Sequence, residues 1–239
     1  MAEQLEIAAA LLEKIKSYDW GLSRLALTET EDIIKKSYGN KDEMAKLEKS
    51  LLSVLKSPDA TRAGKDFICR QLSIIGTKQS VPVLAKMLTD NEYSDMARYA
   101  LERIPGSAVD AALRDVLPAA SGRPKVGIVD SLGQRRDAKA VDALGKLLDN
   151  SDEMVAVAAA AALGRIADEK STKIIAEAKD KTSGKVKMRI MDSYLLCAER
   201  LIADGKKPQA LAIYKELQKQ EMPKQIRTAA AKSMIAALK

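Results

Sequence analysis

The side chains able to do chemistry are few, and the usual catalytic types are missing. The 239 residues include no histidine and two cysteines. Ser-His-Asp and Cys-His catalysis and histidine zinc sites are therefore excluded. The adjacent carboxylates Asp152-Glu153 and Asp168-Glu169 fall short of the roughly six to eight oxygens that calcium takes. We predict no catalytic residue, no metal ligand and no cofactor site.

Positive charge is concentrated at one end of the chain. The net charge of the whole chain is +7, and residues 184–239 alone also carry +7. Such a surface could attract phosphates or an acidic partner, but a set of solvated helix faces is the simpler explanation. Only Tyr194 and Tyr214 are interleaved with these charges, which disfavours base stacking. The predicted basic C-terminal patch consists of Lys206, Lys207, Lys215, Lys219, Lys224 and Arg227.

Four stretches of the chain repeat one plan. Their leading leucines, Leu72, Leu101, Leu132 and Leu163, are spaced 29, 31 and 31 residues apart. A repeat of this length holds two helices that cannot bury their apolar faces alone, so successive repeats must stack. The pattern predicts first helices over 61–75, 94–104, 125–132 and 153–166, and second helices over 80–89, 108–117, 138–148 and 171–179.

The turns between the paired helices carry recurring residues. A Gly or Pro stands after the leading leucine, near the end of each predicted first helix, and we interpret it as a turn marker. Asp137 and Asp168 stand at the same turn position of successive repeats, and we predict that they cap the helices that follow.

These features resemble the HEAT repeats of bacteria, in the short form that phycobilisome lyases also carry. The resemblance rests on Leu132-Gly133, on Leu163-Gly164, and on the spacing of Ala140 and Leu144 in a second helix. It covers residues 60–183 and implies an all-α fold, a right-handed alpha-alpha superhelix of the HEAT/ARM solenoid type. It also implies a surface that docks other molecules and only rarely catalyses a reaction.

In such arrays the second helices line the concave side. Lys86, Arg114 and Lys146 occupy roughly equivalent places on three successive second helices, with Lys139 and Asp142 beside Lys146. A row of like charges suits an extended acidic ligand. Glu177 takes the next place and interrupts the row. We predict that a partner binds the following residues: Lys86, Arg114, Lys139, Asp142 and Lys146.

The flanking segments follow the pattern less closely. We predict that residues 1–57 form a divergent helical cap, with helices over 4–17, 22–37 and 42–56. Residues 58–183 hold the four repeats. Residues 184–239 read as a longer pair in the same solenoid, whose second helix at 207–217 resembles a tetratricopeptide unit. The final helix at 223–238 has no partner after it, so we expect the chain to be excised from a longer protein.

Composition indicates what fills the core. Apolar residues make up 46% of the chain and aromatic residues 3%, so small side chains must dominate the packing. We expect the single tryptophan, Trp20, to pack within the cap, and the scarcity of aromatics argues against a strong binding hot spot. Cys69 and Cys197, more than three repeats apart, are expected to be reduced core residues.

The sequence favours a non-catalytic protein–protein interaction module or scaffold, part of a larger protein. The alternatives are an enzyme or enzyme subunit like bilin lyases or HEAT-like DNA glycosylases, and a basic nucleic-acid-binding scaffold. The expected partner is another protein or domain, with nucleic acid possible through the basic C-terminal patch. The first residues, Met1 to Glu6, lack the features of a signal peptide, so the cytoplasm is the default location. Export is expected if the parent protein is secreted.

Overall fold

The computed structural model describes residues 7–238, and every regular element in that range is helical. Helices make up 73% of the chain, and no strand occurs among the described residues. The expected all-α class is therefore confirmed. The helices are α1 (Ala9–Lys16), α2 (Leu25–Lys36), α3 (Lys41–Leu55), α4 (Arg62–Ile75), α5 (Val81–Ala85), α6 (Ser94–Arg103), α7 (Ser107–Val116), α8 (Gly122–Gln134), α9 (Val141–Lys146), α10 (Glu153–Ile166), α11 (Glu169–Ala178), α12 (Gly184–Ala203), α13 (Lys207–Leu217) and α14 (Lys224–Leu238).

The helices form two compact units, the first ending at Ala120 and the second beginning at Ser121. In unit 1, α1 contacts α2 and α3, and α3 packs against α4. The first helices of neighbouring repeats, α4 and α6, lie side by side, and so do the second helices α5 and α7. Leu72 and Leu101, which lead these repeats, are fully buried. They therefore form part of the apolar core of unit 1.

Unit 2 repeats the same arrangement. α10 packs between α8 and α12, and the second helices α9 and α11 contact each other. The long helix α12 then packs against α13 and α14. Leu132 and Leu163 are fully buried, and Tyr214 on α13 is also a core residue. None of the described helices has the length and apolarity needed to cross a membrane.

Most helix predictions are confirmed, with differences at the ends. Residues 1–6, which include the start of the expected first helix and the segment judged for a signal peptide, lie outside the described residues. The expected second helix at 80–89 was predicted too long: α5 covers only Val81–Ala85 and continues as tight turns. The helix expected at 138–148 is α9 flanked by two short 3₁₀ turns. The domain limits at 57/58 and 183/184 stay predictions.

The two predicted aspartate caps are confirmed. An Asp137 carboxylate oxygen accepts a hydrogen bond from the backbone N–H of Lys139 at 3.1 Å. An Asp168 oxygen accepts one from the N–H of Ser171 at 2.7 Å. Each carboxylate thus satisfies a backbone donor that the first turn of a helix leaves without a partner. The turn sequence therefore fixes where the second helices of these repeats begin.

Gly133 and Gly164 were wrongly interpreted as turn markers. Both lie inside helices, since α8 runs to Gln134 and α10 to Ile166. A methyl group added to Gly133 would stand 2.6 Å from the α-carbon of Ala162 on the next first helix. One added to Gly164 would stand 2.6 Å from the β-carbon of Ser193. These glycines are needed because neighbouring first helices approach so closely that no side chain fits between them.

The turns themselves begin a few residues later, in left-handed backbone. Arg136 has φ 55° and Ala167 has φ 48°, at equivalent positions of the two repeats. After α8, the N–H of Asp137 donates to the carbonyl of Leu132 at 3.1 Å and that of Arg136 donates to Gly133 at 3.0 Å. This is the Schellman arrangement, which satisfies carbonyls at the end of a helix. The Arg136 guanidinium also donates to the Ile166 carbonyl at 3.0 Å, so it caps the end of α10.

A buried carboxylate organises the corresponding turn in unit 1. Glu48 on α3 is only 1% exposed. It accepts hydrogen bonds from the Thr77 N–H at 2.8 Å, from the Thr77 hydroxyl at 2.9 Å and from the Ser80 hydroxyl at 2.5 Å. Three donors compensate for much of the cost of burying the charge. Glu48 therefore connects α3 to the turn that precedes α5.

We expect Gly164→Ala to destabilise the protein despite the better helix propensity of alanine. Overpacking against Ser193 costs about 1–3 kcal/mol, whereas alanine favours a helix by about 1 kcal/mol. Urea-induced unfolding followed by circular dichroism measures the difference. The matched control is Gly145→Ala, whose methyl would meet only side-chain atoms of Ile174, Cδ1 at 3.1 Å and Cγ2 at 3.4 Å. Because Ser193→Gly removes the opposing β-carbon, Gly164→Ala should cost less in a Ser193→Gly background than in the unaltered chain, as a double-mutant cycle would show. Equal stability of the two alanine variants would contradict the close-approach explanation.

We expect Glu48→Ala to lower the free energy of unfolding by about 2–3 kcal/mol, because it leaves the Thr77 and Ser80 donors without a partner. Glu48→Gln keeps one acceptor oxygen and should lose less. Lys49→Ala, at the neighbouring exposed position of the same helix, serves as the control for helix propensity. The same urea titration tests all three variants. A loss for Glu48→Ala no greater than that of the control would show that the hydrogen bonds contribute nothing net.

Candidate functional site

The predicted partner-binding residues are divided between the two units. In unit 1, Lys86 is an exposed residue at the end of α5, and Arg114 is a half-buried residue of α7. Both lie on second helices, as the repeat alignment predicted. Because α5 and α7 pack side by side, the two cations belong to neighbouring elements of one helix layer. Their role in binding stays a prediction.

In unit 2, Lys139 lies in the 3₁₀ turn before α9, and Asp142 and Lys146 lie on α9 itself. All three side chains are exposed. The Asp142 carboxylate pairs with the Lys170 ammonium of α11 at 2.6 Å, a contact that the sequence interpretation did not foresee. This pairing offsets the one negative charge in the group, so Lys139 and Lys146 give the α9 surface a positive character.

The basic C-terminal patch is spread over α13 and the start of α14. Lys206 and Lys207 lie at the beginning of α13, whereas Lys215 and Lys219 lie at or just beyond its end. With a rise of 1.5 Å per residue, Lys207 and Lys215 are separated by roughly 12 Å along the helix axis. Of the six residues, Arg227 is half-buried and the others are exposed. The charges thus lie at both ends of α13.

A cleft of about 510 Å³ lies among α11, α12 and α13. Asp168, Glu169, Asp204 and Lys206 contribute its charges, with Ile213 among its apolar walls. Asp168 is engaged as a helix cap, and Asp204 pairs with Arg200 at 3.1 Å. Two of the three carboxylates therefore already have partners within the chain.

A hydrogen-bonded cluster joins the same three helices. The Lys179 ammonium lies 2.8 Å from one Glu216 oxygen, and the Tyr194 hydroxyl donates to the other at 3.1 Å. The bond to Glu216, and then that to Asp180, raises the pKa of Lys179. Burial, reinforced by Glu216, raises the pKa of Tyr194 to about 12. Lys179 and Tyr194 therefore keep their protons at neutral pH, so neither serves as a general base, and their bonds to Glu216 connect the three helices.

The two cysteines are buried and unbridged, as expected. Burial raises the pKa of Cys69 to about 12 and that of Cys197 to about 11. The nucleophilic thiolate is therefore scarce at neutral pH. Among the described residues, no group of three or more Cys, Asp or Glu side chains is arranged to hold a metal ion.

The sequence interpretation missed a surface of unit 1 where aromatic rings meet cations. Trp20 was expected to pack within the cap, but it is 55% exposed, so that expectation was wrong. The Arg62 guanidinium stands over its ring, 5.1 Å from the centroid. The Lys65 ammonium lies 4.6 Å from the Tyr93 ring centre. Arg103 and Arg70 lie 3.7 Å and 5.8 Å from the Tyr99 ring centre. We call this surface the aromatic–cation face; it consists of Trp20, Arg62, Lys65, Arg70, Tyr93, Tyr99 and Arg103.

Part of this face could have been predicted from the repeat alignment. Arg70 and Tyr99 each stand two residues before a leading leucine, Leu72 and Leu101, so they hold equivalent places on the neighbouring helices α4 and α6. Tyr99 and Arg103 are spaced i, i+4 on one helix, which also brings side chains together. The contribution of Trp20 could not be predicted from the repeat alignment, because this residue lies in the irregular segment between α1 and α2.

Comparison with known proteins supports the repeat assignment. Residues 111–193 match the family model described as HEAT repeats. No curated protein sequence matches this chain. Neither result bears on the resemblance to phycobilisome lyase-type proteins or on a bacterial origin, which stay predictions.

Two solved structures were compared with the fold. A structure of lipovitellin is similar with a TM-score of 0.67 at 15% sequence identity, over 99% of this chain and 27% of that one. A structure of an engineered protein has a TM-score of 0.49 at 19% identity, over 96% of this chain and 68% of that one. At such identity the likeness to lipovitellin concerns the fold alone. Residues 111–193 are thus similar to HEAT repeats, and the succession of helix pairs gives the chain an all-α fold consistent with a HEAT-like solenoid.

Proposed function

We propose that the chain is a non-catalytic docking module that binds another protein through its second helices. HEAT repeats are generally scaffolds for protein interactions. Stacked repeats offer an extended surface, to which each second helix contributes a few exposed side chains. The proposed contact residues are Lys86 and Arg114 in unit 1 and Lys139, Asp142 and Lys146 in unit 2.

The observation that carries this proposal is a group of exposed lysines on or next to the second helices that have no ion-pair partner among the described residues. Lys86, Lys139 and Lys146 are exposed and form no ion pair with the described residues. Two exposed cations on the first helices of unit 2 are paired: Arg165 lies 3.1 Å from Asp130, and Lys185 lies 2.9 Å from Glu153. An unpaired ammonium keeps its full attraction for carboxylates of a partner. The second helices therefore favour an acidic protein surface.

We expect a Lys86→Glu/Lys139→Glu/Lys146→Glu variant to lose a protein partner that the unaltered chain retains. Reversing three charges replaces attraction by repulsion and should weaken binding at least tenfold. The measurement is affinity capture from a lysate of the source organism at two salt concentrations, with mass spectrometry of the bound material. The retained protein is then purified and its affinity for both chains is determined by calorimetry.

A Lys36→Glu/Lys41→Glu/Lys49→Glu variant is the matched control, because it makes the same change in net charge at exposed positions of α2 and α3. Binding that survives the first variant, or is lost equally in both, would contradict the proposed face. Recovery of nucleic acid alone, released by salt and lost in a Lys215→Glu/Lys219→Glu variant, would assign the function to the basic C-terminal patch. Turnover of a bilin or of alkylated DNA by the purified chain would establish the enzyme alternative.

A further inference from the structure

The aromatic–cation face has the composition of a binding hot spot. Trp, Tyr and Arg are the residue types that dominate the binding energy of protein interfaces. Trp20 is 55% exposed and Tyr99 is 40% exposed, although aromatic residues form only 3% of the chain. Their exposure leaves apolar area that a partner would remove from water. The scarcity of aromatics in the sequence therefore does not exclude a hot spot, because three of them are gathered on one surface.

The cations of this face are held in place by the rings. Arg103 lies 3.7 Å from the Tyr99 ring centre, and its guanidinium also donates to the Tyr99 carbonyl at 2.8 Å. Arg70 is fixed by Asp66 at 2.9 Å, and its guanidinium lies near the same ring. A long side chain that is already ordered loses less conformational entropy when it binds a ligand. The face thus presents preorganised guanidinium groups.

The charges around the rings favour a protein over a nucleic acid. Asp66 lies among the cations on α4, and Glu92 lies 3.5 Å from Arg62. Carboxylates in these places repel the continuous row of phosphates of a nucleic-acid strand. In addition, each of the three rings already has a cation near its face, which hinders the stacking of bases that single-strand binding uses. Separate carboxylates of a polypeptide can instead approach each cation individually.

The spacing of the cations indicates the form of the ligand. Arg62, Lys65 and Arg70 lie along α4, and the first and last are separated by roughly 12 Å along the helix axis. An extended polypeptide advances roughly 3.3 Å per residue, so alternate side chains on one face are about 7 Å apart. Two or three carboxylates at alternate positions therefore match the row on α4, and Arg103 on α6 provides a further contact.

We infer that the aromatic–cation face of unit 1 binds an extended acidic segment of a partner protein. The inference rests on the proposed function because it takes the partner to be a protein. The binding site, however, lies on first helices and the Trp20 segment and not on the second helices. Carboxylates of the segment bind the guanidinium groups, and its aliphatic atoms cover the exposed edges of Trp20 and Tyr99.

The test uses a fluorescein-labelled peptide of eight Glu-Ser repeats, titrated with the full chain and followed by anisotropy. We expect saturable binding that weakens at least tenfold in an Arg62→Gln/Arg70→Gln/Arg103→Gln variant. The control, Lys173→Gln/Lys181→Gln/Lys232→Gln, removes the same number of charges from exposed positions of unit 2 that belong to neither proposed site, and it should change the affinity less than twofold. Because Trp20 is the only tryptophan, its emission should also change when the unlabelled peptide binds the unaltered chain.

Three results would overturn the inference: an unchanged Trp20 emission at saturation, equal loss of binding in both variants, or tighter binding of a labelled 16-nucleotide oligothymidylate with the same dependence on the arginines. Circular dichroism melting shows whether the variants remain folded. The proposed function is tested separately by the captured partner. If that partner requires Lys86, Lys139 and Lys146 but binds the arginine variant normally, the docking module stands and the present inference fails.

Discussion

The close approach of neighbouring first helices is the constraint on which unit 2 depends. Gly133 faces Ala162, and Gly164 faces Ser193, with no room for a β-carbon on either glycine. The small side chains of α10 extend this contact, since Ala156, Ala159 and Ala160 are buried with them. Such packing brings many atoms into van der Waals contact without large apolar side chains. It explains how a chain with few aromatics builds a core, and it sets the positions from which the second helices project.

In unit 1, polar contacts fix a turn and the start of a helix. The buried Glu48 carboxylate receives three donors from the turn at Thr77 and Ser80, and Thr61 caps α4 by accepting from the Gly64 N–H at 3.0 Å. Directional bonds of this kind fix the position of a turn more sharply than apolar contacts do. The exposed sides of α4 and α6 carry Arg70 and Tyr99 of the aromatic–cation face.

The sequence predicted the features that depend on local or periodic patterns. The leading leucines are all buried, the helix pairs occur in the expected order, and Asp137 and Asp168 cap their helices. The sequence did not predict features that depend on contacts between residues distant in the chain. Gly164 was interpreted as a turn marker because its contact with Ser193 is invisible to a local pattern. The role of Glu48 depends on residues about one repeat away. Trp20 enters its surface from an irregular segment, so no periodicity indicated its exposure.

The Arg136 turn has a consequence for how unit 2 opens. Its left-handed residue ends α8, and its guanidinium binds the last carbonyl of α10, so one side chain belongs to two successive repeats. Losing that turn exposes helix ends in both repeats together. In a linear array, contacts between neighbours determine how far a local fluctuation spreads. Amide hydrogens near the ends of α8 and α10 should therefore exchange with solvent as one cooperative group, with a shared opening free energy.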